Sequence, residues 1–232
     1  NPDTYSKLNF LRAAPESKWI VMVRNPVNSC ESWIYDHFNN NSYKNIVNRI
    51  STMLFDIDDA ALIDKDAVGV RLEDLKKDPK ATFNSLCRWM GVREEESLYN
   101  MTAQGKKWWG DLSHQQIPAF GSMPKIKPKT IFSDNDRFIL NTLFYPFSAA
   151  FGYVKEDINK FKKDLQIISP MIDELFDFEK ILIHKDKVDY KNFKKSGNFL
   201  YLRSKLKNRL NILNKFNNYP NLLKPLKVNV KN

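Results

Sequence analysis

Residues 18–23, Lys-Trp-Ile-Val-Met-Val, form a nearly continuous apolar run. A short run of this kind, with no alternation of polar and apolar residues, is typical of a strand that is buried on both faces of a parallel sheet. Residues 67–72, Ala-Val-Gly-Val-Arg-Leu, predict a second strand of the same kind. Between the two runs, apolar residues recur at helical spacing, as at Ile46 and Ile50. The order of strand, helices and strand predicts an α/β fold.

Helix-start and helix-end signals continue this pattern downstream. Asp78, which stands directly before a proline, predicts the start of a helix that Gly91 ends. Ser133 predicts the start of another helix, because an acid follows it three residues later, at Asp136, as in a capping box. Between these helices, residues 100–130 show little periodicity, which predicts a long ordered loop of the kind that often carries function.

The positive charge of the chain is concentrated in its C-terminal third. The net charge is +10, and residues 155–232 hold 18 Lys+Arg against 9 Asp+Glu. Residues 155–182 predict a further helix. Beyond residue 190, leucines recur at helical spacing, as at Leu202 and Leu206, which predicts an amphipathic helix with a cationic face. We therefore expect residues 154–232 to form a helical, basic C-terminal extension.

A basic extension of this kind suits an anionic partner; the alternative is a solvated basic helix without such a partner. Its amphipathic helix would either contact a membrane surface or dock on the rest of the chain. Nucleic-acid binding is disfavoured, because most of the aromatic residues lie in the nearly neutral first two-thirds, away from the basic tail. We expect no specific nucleic-acid partner, and the sequence leaves the oligomeric state open.

The sequence contains no pattern typical of a membrane-spanning helix or of a metal-binding site. No run of eighteen apolar residues occurs, as a transmembrane helix would need. The two cysteines, Cys30 and Cys87, cannot form a disulfide framework and lack metal-ligand spacing, and the three histidines are scattered. We expect no metal site and a reduced, cytoplasmic location.

The segment that follows the first predicted strand carries the clearest chemistry. The strand delivers Arg24 to its carboxyl end, where open α/β sheets bind their ligands. Pro26 fixes the turn, and Ser32, eight residues after Arg24, falls in the first turns of the next helix. A guanidinium and a hydroxyl near a helix N-terminus can form a phosphate site. The alternative is that Arg24 pairs with a nearby acid at the edge of the sheet.

The spacing of Arg24, Pro26 and Ser32 resembles the 3′-phosphate motif of sulfotransferases that use 3′-phosphoadenosine 5′-phosphosulfate (PAPS). Residues 70–79, Val-Arg-Leu-Glu-Asp-Leu-Lys-Lys-Asp-Pro, are similar to the family's hydrophobic-Arg-Tyr-Glu-Asp-Leu segment and the Pro-led helix after it. Leu72 stands where many members have Tyr.

Three further segments extend the resemblance. Residues 106–111 and 132–137 resemble late segments of bacterial members, and residues 1–5 resemble the end of a segment that members carry before this strand. The resemblance covers about residues 1–153, which we therefore expect to form the C-terminal part of a sulfotransferase α/β domain.

The resemblance implies a P-loop NTPase-like parallel sheet flanked by helices and a sulfotransferase activity. The enzyme would transfer a sulfuryl group from PAPS, its co-substrate, to a hydroxyl or amine of a small-molecule, glycan or lipid acceptor, and would need no metal. Arg24 and Ser32 would bind the 3′-phosphate. Lys127 and Lys129 would belong to a late basic loop that closes over the same phosphate; the alternative for both is an exposed lysine.

One part of the family pattern is missing from the sequence. Members bind the 5′-phosphosulfate with a Lys/Arg-x-Gly-Thr-like loop after an earlier strand, and none of the seven glycines here has that setting. We therefore expect the chain to be truncated at its N-terminus and inactive by itself, and its catalytic residues are unknown. The alternative is a non-catalytic anion- or nucleotide-binding domain of the same fold.

Several other side chains have two interpretations each. Trp108 and Trp109 would stack on adenine or line the acceptor site, or else pack in the loop. His37 would face the acceptor or be a half-buried helix residue. Glu73 and Asp74 resemble paired catalytic carboxylates, but adjacent residues point in different directions, which favours a cap or an ion pair.

Overall fold

The structure, a computed structural model, describes residues 4–56, 66–100, 102–103, 106–107, 130–215 and 223–228. Its elements follow one another along the chain as α1 (Thr4–Ala13), β1 (Trp19–Val23), α2 (Pro26–Asn39), α3 (Tyr43–Asp56), β2 (Ala67–Arg71), α4 (Leu72–Lys77), α5 (Pro79–Met90), a 3-10 helix (Glu96–Tyr99), β3 (Thr102–Ala103), β4 (Lys106–Lys107), α6 (Asp134–Leu143), α7 (Tyr145–Ala150), α8 (Ile158–Met171), α9 (Asp177–Asp186), α10 (Tyr190–Lys195) and α11 (Gly197–Lys215). The chain is mostly helical with a small parallel sheet, which is compatible with the predicted α/β class.

The chain divides into two compact units, and each is assembled from separated stretches. The first unit comprises Asn1–Arg24, Asp64–Lys127 and Lys224–Asn232, and the second comprises Asn25–Ile63 and Pro128–Leu223. The boundary expected near residue 153 falls inside the second unit.

The first unit is built on the parallel pair β1 and β2. Their register places Trp19 opposite Ala67 and Val23 opposite Arg71. The C-terminal segment adds a short parallel bridge on the far side of β2. There, Gly69 donates its N–H to the Lys224 carbonyl at 2.8 Å and accepts from Leu226 N–H at 2.8 Å.

The two strands are buried to different extents. In β2, Val68, Gly69 and Val70 are all buried. In β1, Ile20 is 42% exposed and Met22 is 50% exposed, although Val23 is buried. The prediction that β1 is buried on both faces is therefore wrong, because the face that carries Ile20 and Met22 is open in this structure.

Local capping chemistry sets the helix ends as predicted. Asp78 Oδ1 accepts the Ala81 N–H at 2.9 Å, and Gly91 ends α5 in the left-handed region at φ 75°. In the second unit, Ser133 and Asp136 form the predicted capping box at the start of α6.

The second unit is a helical assembly around a large apolar core, with a smaller apolar cluster formed by Leu175, Phe193 and Phe199. Buried side chains of α3 include Ile46 and Ile50, and they pack against the buried leucines of α11, including Leu202 and Leu206. The predicted amphipathic helix of the tail therefore exists, and its apolar face is covered by its own unit. The single helix predicted over residues 155–182 is instead two helices, α8 and α9. None of the described helices is both long and apolar enough to cross a membrane.

Candidate phosphate site at the end of the first strand

Arg24 lies directly after β1, at the carboxyl end of the parallel pair. Its side chain is exposed, and no acid in the described part of the chain forms an ion pair with it. A guanidinium that is free of an internal acid can bind an external anion with two parallel N–H groups. The alternative interpretation of Arg24, an internal ion pair at the sheet edge, finds no partner among the described residues.

Arg71 brings a second guanidinium to the same end of the sheet. It is the last residue of β2 and lies in register with Val23, the residue before Arg24. Its Nε lies 3.6 Å from Asp74 Oδ2, and Asp74 stands in the first turn of α4. The ion pair expected for Glu73 and Asp74 is thus present at Asp74. Sequence analysis did not select Arg71 as a site residue, although the strand-end position that marked Arg24 also marks Arg71.

Ser32 lies on the exposed side of α2, in the second unit. The helix begins at Pro26, and its N-cap is Asn25, whose side-chain oxygen accepts the Asn28 N–H at 3.0 Å. Ser32 is therefore beyond the first turn, where the free N–H groups of a helix lie. Its hydroxyl is exposed and bonds to no other described residue, so it can serve as a neutral donor to a ligand.

Glu31, the neighbour of Ser32, is a residue that sequence analysis missed. Its side chain is 3% exposed, and its Oε1 accepts the N–H groups of Ile131 at 2.7 Å and Phe132 at 2.9 Å. Its Oε2 forms an ion pair with Arg137 of α6. Glu31 thus ties α2 to the residues that lead into α6.

A signal for Glu31 was present in the sequence. Val27, Ile34 and Phe38 are buried on one face of α2, and Glu31 lies on that face at helical spacing. A charged residue on a buried helix face must have partners, because an unpaired buried charge is very costly.

A second buried carboxylate, Glu179, has a structural setting. It accepts from the Tyr43 hydroxyl at 2.5 Å and forms an ion pair with Arg203, whose guanidinium lies 4.2 Å from the centre of the Phe199 ring. Burial raises the pKa of Glu179, and the Arg203 charge opposes that rise. All of this carboxylate is enclosed, so it joins α3, α9 and α11 and offers no surface to a ligand.

Only some of the remaining predicted site residues belong to the part of the chain that the structure describes. Lys127, Lys129, Trp108 and Trp109 lie outside the described residues. His37 is half-buried in the last turn of α2, in line with the helix-residue interpretation. Within the described ranges, no group of three His, Cys, Asp or Glu side chains could hold a metal ion.

No protein-family model, curated protein or solved structure matches this chain.

Proposed function

We propose that this chain is a PAPS-dependent sulfotransferase of the P-loop-type α/β fold, and that Arg24 binds the 3′-phosphate of the co-substrate. The observation that carries this proposal is the exposed guanidinium of Arg24 at the carboxyl end of a parallel strand, with no described acid to neutralise it. Ligands of open α/β sheets bind at this end of the strands. The ligand is inferred to be PAPS because the motif that Arg24 forms with Pro26 and Ser32 resembles the family's 3′-phosphate motif.

Each residue of the proposed site has a distinct role. The fork of Arg24 matches two oxygens of a phosphate. The Ser32 hydroxyl, a neutral donor, is assigned to that phosphate by resemblance. Arg71 raises the positive potential at the strand ends, although Asp74 offsets part of its charge. Lys127 and Lys129 are assigned to the same phosphate by resemblance alone.

The reaction would be an in-line displacement at sulfur. An acceptor oxygen or nitrogen forms the new bond to sulfur while the bond from sulfur to the bridging oxygen breaks, and 3′-phosphoadenosine 5′-phosphate (PAP) leaves with the electron pair. The acceptor also loses a proton. Such a reaction depends mainly on positioning and on stabilising negative charge. The residues assigned here hold the 3′-phosphate and so position the nucleotide; none of them is assigned as the base.

Calorimetric titration with PAP tests the proposal. Wild-type chain should bind PAP, and Arg24→Ala should weaken binding by about 2–4 kcal/mol, since it removes the charged partner of the phosphate. Ser32→Ala should cause a smaller loss of about 1 kcal/mol. The matched control is Arg12→Ala, which removes another exposed arginine from the first unit, on α1, and should leave PAP affinity unchanged.

The outcomes separate the proposal from its rivals. Equal losses in Arg24→Ala and Arg12→Ala would mean that PAP responds only to net charge, and the assigned site would be wrong. PAP binding that depends on Arg24, combined with no transfer of labelled sulfuryl from PAPS to hydroxyl or amine acceptors, would favour the non-catalytic nucleotide-binding alternative.

A further inference from the structure

The first unit contains a cavity of about 550 Å³ at the amino end of β2. The beginning of β2 lines one side, the last turns of α5 line another, and the C-terminal segment that pairs with Gly69 closes a third. Its volume is within the range of small-molecule sites, about 300–1,000 Å³.

The cavity carries a surplus of positive charge. Arg88 of α5 and both Lys224 and Lys227 of the C-terminal segment line it. None of these three forms an ion pair with an acid in the described ranges; Arg88 donates instead to the side-chain amide oxygen of Asn84 at 3.0 Å.

Among the described residues of the lining, the only acid is Asp66, and it forms an ion pair with Lys18. Asp66 Oδ2 lies 3.2 Å from Lys18 Nζ, and the same ammonium donates to the carbonyl of Trp89 at 3.0 Å. The net charge presented to a ligand is therefore set by Arg88 and the two lysines, and an anion would be attracted.

The walls of the cavity also offer an apolar surface. Trp89 lines it, with the Lys18 ammonium 5.0 Å from the centre of its ring, and Val68 and Leu226 add aliphatic surface. An indole beside aliphatic groups favours a flat apolar ring, which gains by burial and by stacking.

We propose that this cavity is a binding site for a small organic anion that combines a flat apolar ring with a phosphate, sulfate or carboxylate group. Arg88, Lys224 and Lys227 hold the anionic group, and Trp89 packs against the ring. The site gives the basic C-terminal segment a role, because two of its lysines form one wall.

This site is separate from the one proposed at Arg24. The two strands run parallel, so their amino ends lie together at one end of the sheet and their carboxyl ends, with Arg24 and Arg71, lie at the other. The four steps from Ala67 to Arg71 span about 13 Å of strand. The new inference therefore does not depend on PAPS binding.

Calorimetry with 1-naphthyl phosphate as the probe tests this inference. The wild-type chain should bind one molecule with saturation below about 1 mM, the weak end of specific binding. Arg88→Gln should weaken binding about ten-fold, as expected for the loss of a charged hydrogen-bond partner in a half-open site. The neutral analogue 1-naphthol and inorganic phosphate should each bind at least about ten-fold more weakly than the probe, since each lacks one of the two features.

Two variants serve as controls. Arg93→Gln removes the same charge from the same unit, at an exposed arginine paired with Glu95 outside the cavity, and should leave the affinity for 1-naphthyl phosphate unchanged. Arg24→Ala should also leave it unchanged, and Arg88→Gln should leave PAP affinity unchanged. Because each ligand has its own sensitive variant, failure at one site is distinguishable from failure at the other.

Three results would overturn the inference. They are the absence of saturable binding of 1-naphthyl phosphate, an equal loss in Arg88→Gln and Arg93→Gln, and binding of 1-naphthol as tight as that of the phosphate. Thermal unfolding of each variant shows whether it is folded, and Lys227→Gln, at an exposed position, provides a second substitution in the cavity wall.

Discussion

Removal of the Glu31 carboxylate, which lies on the buried face of α2, should strongly destabilise the second unit. In Glu31→Ala, the N–H groups of Ile131 and Phe132 lose their acceptor, and Arg137 loses its ion-pair partner. The two backbone donors are buried, where water cannot fully replace the lost oxygen atoms.

The magnitude follows from counting these groups. Each buried N–H without a partner costs about 1–3 kcal/mol, and the low end applies because the local chain can relax. Arg137 is partly exposed and recovers some hydration, so its loss adds about 1 kcal/mol. The expected total is about 3–4 kcal/mol. In Glu31→Gln the amide oxygen still accepts from the backbone, and only the charge is lost, so about 1–2 kcal/mol is expected.

Urea unfolding followed by circular dichroism measures the total, and amide hydrogen exchange measures the local effect. Protection of the Ile131 and Phe132 amides should fall in Glu31→Ala and be largely retained in Glu31→Gln. Asp36→Ala is the matched control, because Asp36 is an exposed acid on the same helix; its loss should change stability by no more than about 0.5 kcal/mol.

The reasoning would be refuted by Glu31→Ala behaving like Asp36→Ala, or by Glu31→Gln losing as much stability as Glu31→Ala. The first result would mean that the carboxylate is not engaged with the backbone. The second would mean that the charge on Glu31, rather than its hydrogen bonds, holds the residues before α6.

Three further experiments test the burial and the ion pairs seen in the structure. Burial raises the pKa of Cys30 to about 12, so an aromatic disulfide reagent at about pH 8 should leave this thiol unmodified in native protein and modify it after unfolding in urea. Leu202→Ala should cost about 2–5 kcal/mol in urea unfolding because Leu202 is fully buried, whereas Leu200→Ala, at a side chain 55% exposed, should cost less than about 0.5 kcal/mol. The hydrogen bond from Lys180 lowers the pKa of Asp177, so the ionised carboxylate adds stability that is present above the pKa of the unfolded chain, about 4, and is lost as the pH falls through the lower folded-state pKa. Asp177→Asn should therefore be less stable than wild type near neutral pH and equally stable near about pH 2; an unchanged difference in urea midpoint between the two pH values would contradict this assignment.

Features determined by neighbouring residues could be predicted from the sequence. The helix start at Asp78, its end at Gly91 and the capping box at Ser133 all follow from bonds that span three or four residues. The strand that ends before Arg24 and the helix that begins at Pro26 follow from local apolar pattern and turn chemistry in the same way.

Features that join distant parts of the chain were decided only by the tertiary structure. The sequence shows an acid at Glu31 but not that its partners lie about a hundred residues later, and it shows a basic tail but not that Lys224 and Leu226 pair with Gly69. It predicts a buried β1 but not the open face at Ile20. Apolar periodicity predicts which face of a helix or strand is buried. Which other segment covers that face depends on contacts between residues that are far apart in the chain. The position of Arg24 at the end of a strand could thus be predicted from the sequence. That no described acid pairs with it is visible only in the folded chain.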